Sequence, residues 1–365
     1  MDFMVVRRNT PSSKKKPSSR RATARSPSDT TCTSREVALL AGVSRSAVSR
    51  AFTPNASVSE ATRNKILKAA RKLGYQPNVM ARSLITRHSG LIGLIMGEWE
   101  NPYYTTMLRG FTEKLHARGY RVMLLACNSD QDVDAATRVL MQYRVDGIVL
   151  VSTAPGEAAA REFARSGGRI VLVNREHGPL PATSVLCDNA KVGRELARSL
   201  LAAGYEKFAL LRGDPTYRTS LLRSEAFRKE LKSAGAGTVV LEQFNLVGYA
   251  AGRAFVREAM SLESPPDAIL CPTDATAIGV IDGARLDKGI DVPEALGVVG
   301  FGDIPAASWG SHELTTVRLP IERMVEIAVE ALFAKQDSPV VRTVSADAEI
   351  VARASTRLLR TDGRR

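Results

Sequence analysis

Residues 31–84 read TCTSREVALLAGVSRSAVSRAFTPNASVSEATRNKILKAARKLGYQPNVMARSL, and their spacing predicts three short helices and a further helical arm. Thr33 and Glu36 form a capping box, which starts a helix near Ser34. Val37, Leu40 and Ala41 supply the apolar face of that helix, and Gly42 supplies its stop. After the turn at Val43, Ser44 caps a second helix that runs through Arg50. Val48 faces the core there, while Arg45, Ser46, Ser49 and Arg50 face outward. A helix, a short turn containing glycine and a second helix make a helix-turn-helix. Ser59 caps a third helix whose stripe of Ile66, Ala69, Ala70 and Leu73 recurs at helical spacing, and Gly74 ends it.

Two readings fit that pattern: a helical bundle with a solvated basic face, or a DNA-binding head. Charge favours the second. Through His88 there are 18 Lys and Arg against 4 Asp and Glu, a surplus of 14, while the whole chain carries +13. The remaining residues therefore sum to about −1, so the positive charge is confined to one end. A basic module attached to a neutral domain is the footprint of polyanion binding.

The motifs EVALLAGVSRSAVSRAF, VSEATRNKILKAARKLGYQPN and NVMARSL resemble the LacI/GalR family of bacterial transcriptional repressors, and the resemblance continues through nearly all of the chain. It implies that the second helix enters the major groove, with Arg45, Ser46 and Arg50 at the positions that select the operator sequence. Arg50 is the stronger base reader, because an arginine reaching guanine O6 and N7 is the commonest specific contact. Arg45 is open to either base or phosphate contact. Thr33, Ser44 and Ser49 fall on the DNA side of the head, the two serines as phosphate contacts. The resemblance makes residues 77–88 a hinge helix that pairs in a dimer. Asn78 begins it, Ala81 is the small residue that lets two hinges approach, and Leu84 is the wedge that enters the minor groove. The partners implied are a pseudo-palindromic double-stranded operator, a second copy of the chain and a small-molecule effector.

Residues 1–30 contain KKK at 14–16, RR at 7–8 and 20–21, many Ser, Thr and Pro, and no apolar periodicity. This predicts a disordered basic tail. It reads either as a nonspecific DNA-binding arm or as a solubilising extension arising from an upstream start codon. The apolar run MVV is too short for a signal peptide, and no run of about 18 apolar residues exists, so no membrane partner is expected and the location is cytoplasmic, with the nucleoid.

Residues 31–76 are thus the head and 89–365 the effector-binding and dimerisation domain. Strand-like runs (LIGLIM, RVMLLAC, DGIVLVS, RIVLVN, FALLRG, AILCPTD, LGVVGFG) alternate with helical stretches such as TTMLRGFTEKLHARG and LLRSEAFRKELKSAG. The alternation predicts an α/β fold of doubly wound parallel sheets beside the all-α head. The resemblance sharpens this to two lobes, like periplasmic sugar-binding proteins. Three crossovers are then expected near Gly204, Val317 and Ser338. They make lobe 1 about 89–203 with 318–337, and lobe 2 about 204–317 with 338–357.

Four cysteines (Cys32, Cys127, Cys187, Cys271) and four scattered histidines show no metal-ligand spacing. No GxSxG or Walker loop is present, and GFGDIP at 300–305 lacks the third glycine of a dinucleotide fingerprint. No enzyme, metal site or cofactor is expected.

In open α/β sheets ligands bind beyond the carboxyl ends of the strands. Polar groups gather at such ends: Trp99, Asn101, Tyr103, Asn174, Asp188, Arg218, Arg223, Thr273, Asp274 and Asp303. The resemblance places the effector between the lobes and makes Arg223, four residues before Phe227, its clamp. Asp188 and Asp274 are either pocket residues or caps. Many sugar-responsive relatives carry two acids where this chain has Gly302 and Asp303, and many carry Asn-Asp where Thr273 and Asp274 stand. Arg218 and Arg223 together suit a carboxylate or phosphate, so a sugar acid or other anionic metabolite is the expected effector. The rival expectations are a constitutive or protein-coregulated repressor with no small-molecule ligand and a soluble metabolite-binding protein. The C-terminal TRLLRTDGRR lacks a leucine heptad, so no tetramerising tail is expected.

Overall fold

The structure is a computed structural model that describes residues 32–53, 56–76, 88–97, 102–127, 130–213, 218–334, 341–344 and 348–358. The chain divides into two compact units, residues 1–82 and 83–365. The basic tail and the hinge residues Asn78, Ala81 and Leu84 lie outside the described residues, as do Trp99 and Asn101.

The first unit contains α1 (Ser34–Ala41), α2 (Arg45–Ala51) and α3 (Glu60–Lys72). Glu36 accepts the Thr33 backbone N–H at 2.7 Å, which ties down the first turn of α1. Gly42 ends that helix at φ 63°, a left-handed conformation for which glycine has no Cβ penalty. Ser44 and Ser59 cap the next two helices by accepting from Ala47 N–H and Thr62 N–H. The core is Val37, Ala38, Ala47, Val48, Ala51, Ile66, Ala69 and Ala70. Leu40 is a correction: it is 47% exposed, and the buried partner of Val37 is Ala38. The helix is only two turns long and its inward stripe is narrower than the expected one. Leu73, at 36% exposed, sits at the edge of the stripe. Arg63 reaches from α3 to the carbonyls of Ala51 and Ala56, clamping the segment that joins α2 to α3.

The second unit contains twelve described strands. They are β1 (Leu91–Met96), β2 (Arg121–Ala126), β3 (Gly147–Val151), β4 (Arg169–Val173), β5 (Ala182–Cys187), β6 (Lys207–Leu211), β7 (Thr238–Gln243), β8 (Ala268–Leu270), β9 (Gly297–Phe301), β10 (Thr315–Arg318), β11 (Val341–Val344) and β12 (Glu349–Val351). The helices are α4 (Pro102–Ala117), α5 (Asp130–Gln142), α6 (Glu157–Arg165), α7 (Asn189–Ala202), α8 (Arg218–Ala234), α9 (Tyr249–Ala259), α10 (Asp274–Asp282) and α11 (Ile321–Phe333). Two six-stranded sheets result, ordered β11-β5-β4-β3-β1-β2 and β12-β10-β9-β8-β6-β7. All pairings are parallel except β10 with β12.

Both faces of each sheet are covered, so the inner strands are apolar throughout. Ile92, Leu94 and Met96 of β1 join one core cluster, while Ile95 packs with Leu140, Ile148 and Phe163 in another. The second sheet repeats the arrangement with Phe255, Val256, Ala277, Val280 and Val298 on one side. The two lobes also share an anchoring device. Asp146, just before β3, accepts the backbone N–H groups of Ser89 and Gly90 at 2.9 and 3.0 Å, at the start of β1. Asp267, just before β8, accepts those of Glu206 and Lys207 at 2.8 and 2.9 Å, at the start of β6.

The crossovers differ from expectation at two of three places. Helix α7 packs along α8 of the second lobe: a Cβ on Gly193 would lie 2.1 Å from the Arg223 carbonyl oxygen. The first crossing therefore precedes α7, after Cys187, rather than lying near Gly204. Its apolar side chains Val192, Leu196 and Leu200 belong with Phe227 and Leu231, and burial of that face decides the matter. The second crossing follows Arg318, one residue past Val317. The third lies after Val344, not near Ser338, because β11 pairs in register with β5 in the first sheet. No periodicity in the sequence marks a four-residue strand added to an edge.

Candidate DNA-reading face and interlobe pocket

On the head, Arg45, Ser46, Ser49 and Arg50 are all exposed on α2, opposite the buried Ala47 and Val48. The two arginines stand at the start and near the end of the helix, with two hydroxyls between them. Ser44 is also exposed, and its Oγ lies 2.9 Å from that of Ser46. Thr33 is exposed, and its hydroxyl donates to Glu36 at 3.0 Å. The face thus presents two guanidinium donors and several hydroxyls, a set suited to base edges and phosphate oxygens.

In the second unit a cavity of about 350 Å³ opens between the lobes, at the carboxyl ends of both sets of parallel strands. The first lobe contributes Tyr103 and Tyr104 of α4, Ser152 after β3 and Asn174 after β4. The second contributes Thr219, Ser220 and Arg223 of α8, Asn245 and Val247 after β7, Thr273 after β8, and Phe301 and Gly302. Cys187, Asn189 and Leu319 line it at the crossings. Among the described residues that line it there is no Asp or Glu.

Backbone conformation concentrates here as well. Ser152, Asn174 and Asn245 have φ of 57°, 59° and 59°. Non-glycine residues adopt this left-handed region rarely, and such residues cluster at ligand sites. Each follows directly or closely on a strand, so the chain turns sharply and presents a short polar side chain over the sheet edge. The Asn174 amide donates to the Tyr103 hydroxyl, fixing both. Burial pushes the Tyr103 phenol well above its usual range, against the opposing effect of Asn174, so it stays neutral.

Arg223 is the one charged lining group among the described residues. Its guanidinium stacks over the Phe301 ring, and its buried Nη1 has no hydrogen-bond partner among the described residues. Burial pushes its pKa down to about 9, with Cys187 acting in the opposite direction. It is a cation at neutral pH, with no carboxylate partner among the described residues.

Residues 33–78 match the family described as bacterial regulatory proteins, lacI family, and residues 89–319 match periplasmic binding proteins and sugar binding domain of LacI family. The ribose operon repressor of Escherichia coli (strain K12) is 32% identical over 319 residues, 85% of this chain and 94% of its own length. The chain belongs to the LacI family. It is a DNA-binding transcriptional regulator. Among solved structures, a transcriptional regulator CelR–cellobiose complex is 26% identical with a TM-score of 0.65, covering 89% of this chain and 99% of that one. A lac repressor dimer bound to operator and the anti-inducer ONPF has a TM-score of 0.78 at 21% identity, covering 89% and 99% of the two chains, and shares the fold.

This LacI-family regulator brings together only part of the expected effector set. Tyr103, Asn174, Arg223 and Thr273 line the pocket. Four others do not. Asp188 is exposed and caps α7 by accepting the Lys191 N–H at 2.9 Å. Arg218 is exposed and pairs with Glu176 at 3.1 Å, so it does not join Arg223 around a ligand anion. Asp274 is buried, accepting from the Thr316 hydroxyl and, at 2.8 Å, from the Ile304 N–H. Desolvation raises its pKa to about 6, against the lowering effect of those two bonds. Asp303 lies between Arg318 and Arg353, each at 2.6 Å, and these ion pairs staple the loop after β9 to the second crossing and to the segment after β12. At each position an acid beside a strand end satisfies backbone or arginine donors before it reaches the cleft.

Several lining residues have no sequence signature: Ser152, Thr219, Ser220, Asn245 and Phe301. Ser152 and Asn245, like Asn174, follow strands in a left-handed turn, which no residue pattern in the sequence marks.

Proposed function

We propose that this regulator represses transcription as a homodimer on a pseudo-palindromic operator, and that a small polyhydroxylated ligand in the interlobe pocket controls its grip. The observation that carries this reading is the lining itself: hydroxyls and amides from both lobes, two tyrosines, and one guanidinium with no acid partner among the described residues. Hydroxyls and amides both donate and accept, which matches the alternating hydrogen-bond demands of a sugar, and the aromatic rings suit its apolar faces. At about 350 Å³ the cavity sits at the small end of ligand pockets, which span about 300–1,000 Å³. That favours a monosaccharide-sized ligand over a disaccharide. Similarity to the ribose operon repressor supports the same class.

Arg50, Arg45 and Ser46 read operator bases in this proposal, and Ser44, Ser49 and Thr33 meet phosphates. The homodimer is supported by the exposed Leu286 (73%) and Trp309 (60%). Arg285, beside Leu286, donates to the Ser311 carbonyl at 2.7 Å, so the two apolar groups flank one short surface patch.

Ligand contacts from two lobes bind one lobe arrangement better than another and so shift the population that holds DNA. A specific observation favours an anionic ligand within this class: the Arg223 cation has no acid beside it among the described residues. With Arg218 turned away, a single guanidinium carries that preference. Fluorescence anisotropy on labelled operator, run against ribose, other pentoses and hexoses, and the matching sugar acids, tests both levels. A sugar or sugar acid that changes operator affinity supports the reading and reveals induction or corepression by its sign. No response from any member, with operator binding intact, overturns ligand control by this class.

A further inference from the structure

Behind the interlobe pocket, within the second lobe, lies a separate cavity of about 30 Å³. It sits under the carboxyl ends of β6, β8 and β9, and its walls are mainly apolar, among them Leu196, Phe227 and Val299. Two arginines break that lining. Arg223 borders both cavities, and Arg212 borders only the small one. Each carries a buried Nη atom with no hydrogen-bond partner among the described residues: Nη2 of Arg212 and Nη1 of Arg223.

The charges do not cancel. The Arg212 side chain is 7% exposed and pairs through Nη1 with Glu242 at 2.6 Å. Glu242 also takes Arg228 through its second oxygen, and Nη2 of Arg212 stays outside that pairing. Arg223 has no carboxylate partner among the described residues. An unbalanced guanidinium in apolar surroundings is costly, and burial already lowers its pKa to about 9. Ser224, also in the lining, turns its hydroxyl to the Ser220 and Leu221 carbonyls at 3.1 and 3.0 Å.

We propose that this cavity binds one small inorganic anion, chloride under ordinary ionic conditions, between Arg212 and Arg223. The volume is on the scale of one water molecule, which occupies about 30 Å³ in the liquid. A space that small suits a monatomic anion better than phosphate or an organic acid. Two buried guanidinium nitrogens without partners among the described residues belong to side chains that line the cavity, and the lining is otherwise chiefly apolar. A buried water typically makes about three hydrogen bonds and needs acceptors for its own protons. A halide only accepts, and it also balances the surplus charge. Because Arg223 faces the effector pocket as well, the bound anion partly neutralises it from behind, so chloride lowers the preference of that pocket for anionic over neutral ligands. The site rests on the second lobe alone and does not depend on the effector proposed above.

The test is thermal unfolding of the full-length chain, without DNA or effector, in sodium chloride and in sodium methanesulfonate at equal ionic strength. Wild type is expected to show a Tm rise in chloride that grows with the logarithm of its concentration and reaches about 2–4 °C at about fivefold its Kd. Arg212→Leu, in which Glu242 keeps Arg228, is expected to lose that increment. Equal Tm in both salts, or the same chloride increment in the variant, overturns the proposal. Anomalous diffraction from bromide-grown crystals provides a second readout that needs no variant. A bromide peak between the two arginines supports the site, and its absence overturns it.

Discussion

The guanidinium carbon of Arg223 lies 3.4 Å from the centroid of the Phe301 ring, joining the first turns of α8 to the end of β9 beneath the interlobe pocket. Stacking fixes the plane of the cation without consuming its N–H donors, so they remain available in the planar arrangement that suits paired acceptors. Arg223→Ala is expected to weaken effector binding by at least about tenfold, the value of a charge-assisted hydrogen bond, while operator affinity without effector stays near wild type. Isothermal titration with the active ligand and anisotropy on the operator separate the two effects. Unchanged effector affinity would remove Arg223 from the site.

Asp303 predicts the opposite pattern. It serves Arg318 and Arg353 rather than the cavity. Asp303→Ala leaves two arginines without their acid, a change that costs about 3 kcal/mol when such a pair is largely buried. Denaturant unfolding is expected to show that loss, with effector affinity per folded molecule unchanged. A selective loss of effector binding at full stability would return Asp303 to the pocket.

Asp274 makes stability depend on pH. Its folded-state pKa, raised to about 6 chiefly by desolvation, exceeds the unfolded value of about 4. Between those values the folded chain binds more protons than the unfolded one, so stability falls as pH rises through the window and levels off above it. The contribution is on the order of 3 kcal/mol. Asp274→Asn is expected to flatten the stability curve between about pH 4 and 6, measured by urea unfolding. Parallel curves for variant and wild type would contradict the assignment.

Arg50 is exposed near the end of α2 and has no role in the core of the head. Arg50→Ala is expected to cost about 1–3 kcal/mol in operator binding and to relax selectivity at one base position. A phosphate contact would instead weaken all sequences alike and reduce the salt slope. Competition between operator variants at two salt concentrations distinguishes these outcomes.

Gly193 tests the contact between α7 and α8. Its Cβ position is 2.1 Å from the Arg223 carbonyl oxygen, which belongs to a helix backbone and cannot swing aside. Gly193→Ala is expected to destabilise the second unit by about 1–3 kcal/mol, seen as a lower Tm. An unchanged Tm would mean the helices separate freely.

The head was legible because its information is local. Ser44 and Ser59 cap the helices they precede, Gly42 adopts the conformation only glycine takes cheaply, and Val48 and Ile66 fall on the buried stripe. The charge asymmetry at one end, readable by counting, pointed to nucleic acid. The seven apolar runs became seven strands of two parallel sheets, since parallel strands buried on both faces need uninterrupted apolar sequence.

What the tertiary structure decided is which side chains meet. Helix α7 joined the second lobe because its apolar face matches α8, and β11 joined the first because an edge pairing was open to it. The acids Asp188, Asp274 and Asp303 were drawn to a helix terminus, a buried hydroxyl and two arginines, leaving the pocket free of acids among its lining residues. Ser152 and Asn245 entered it through left-handed turns that carry no residue signature. Sequence alone determines caps, stripes and charge, because these depend on neighbours along the chain. Partner choice for a buried polar group depends on which donors folding brings within about 3 Å, and only the packed structure sets that.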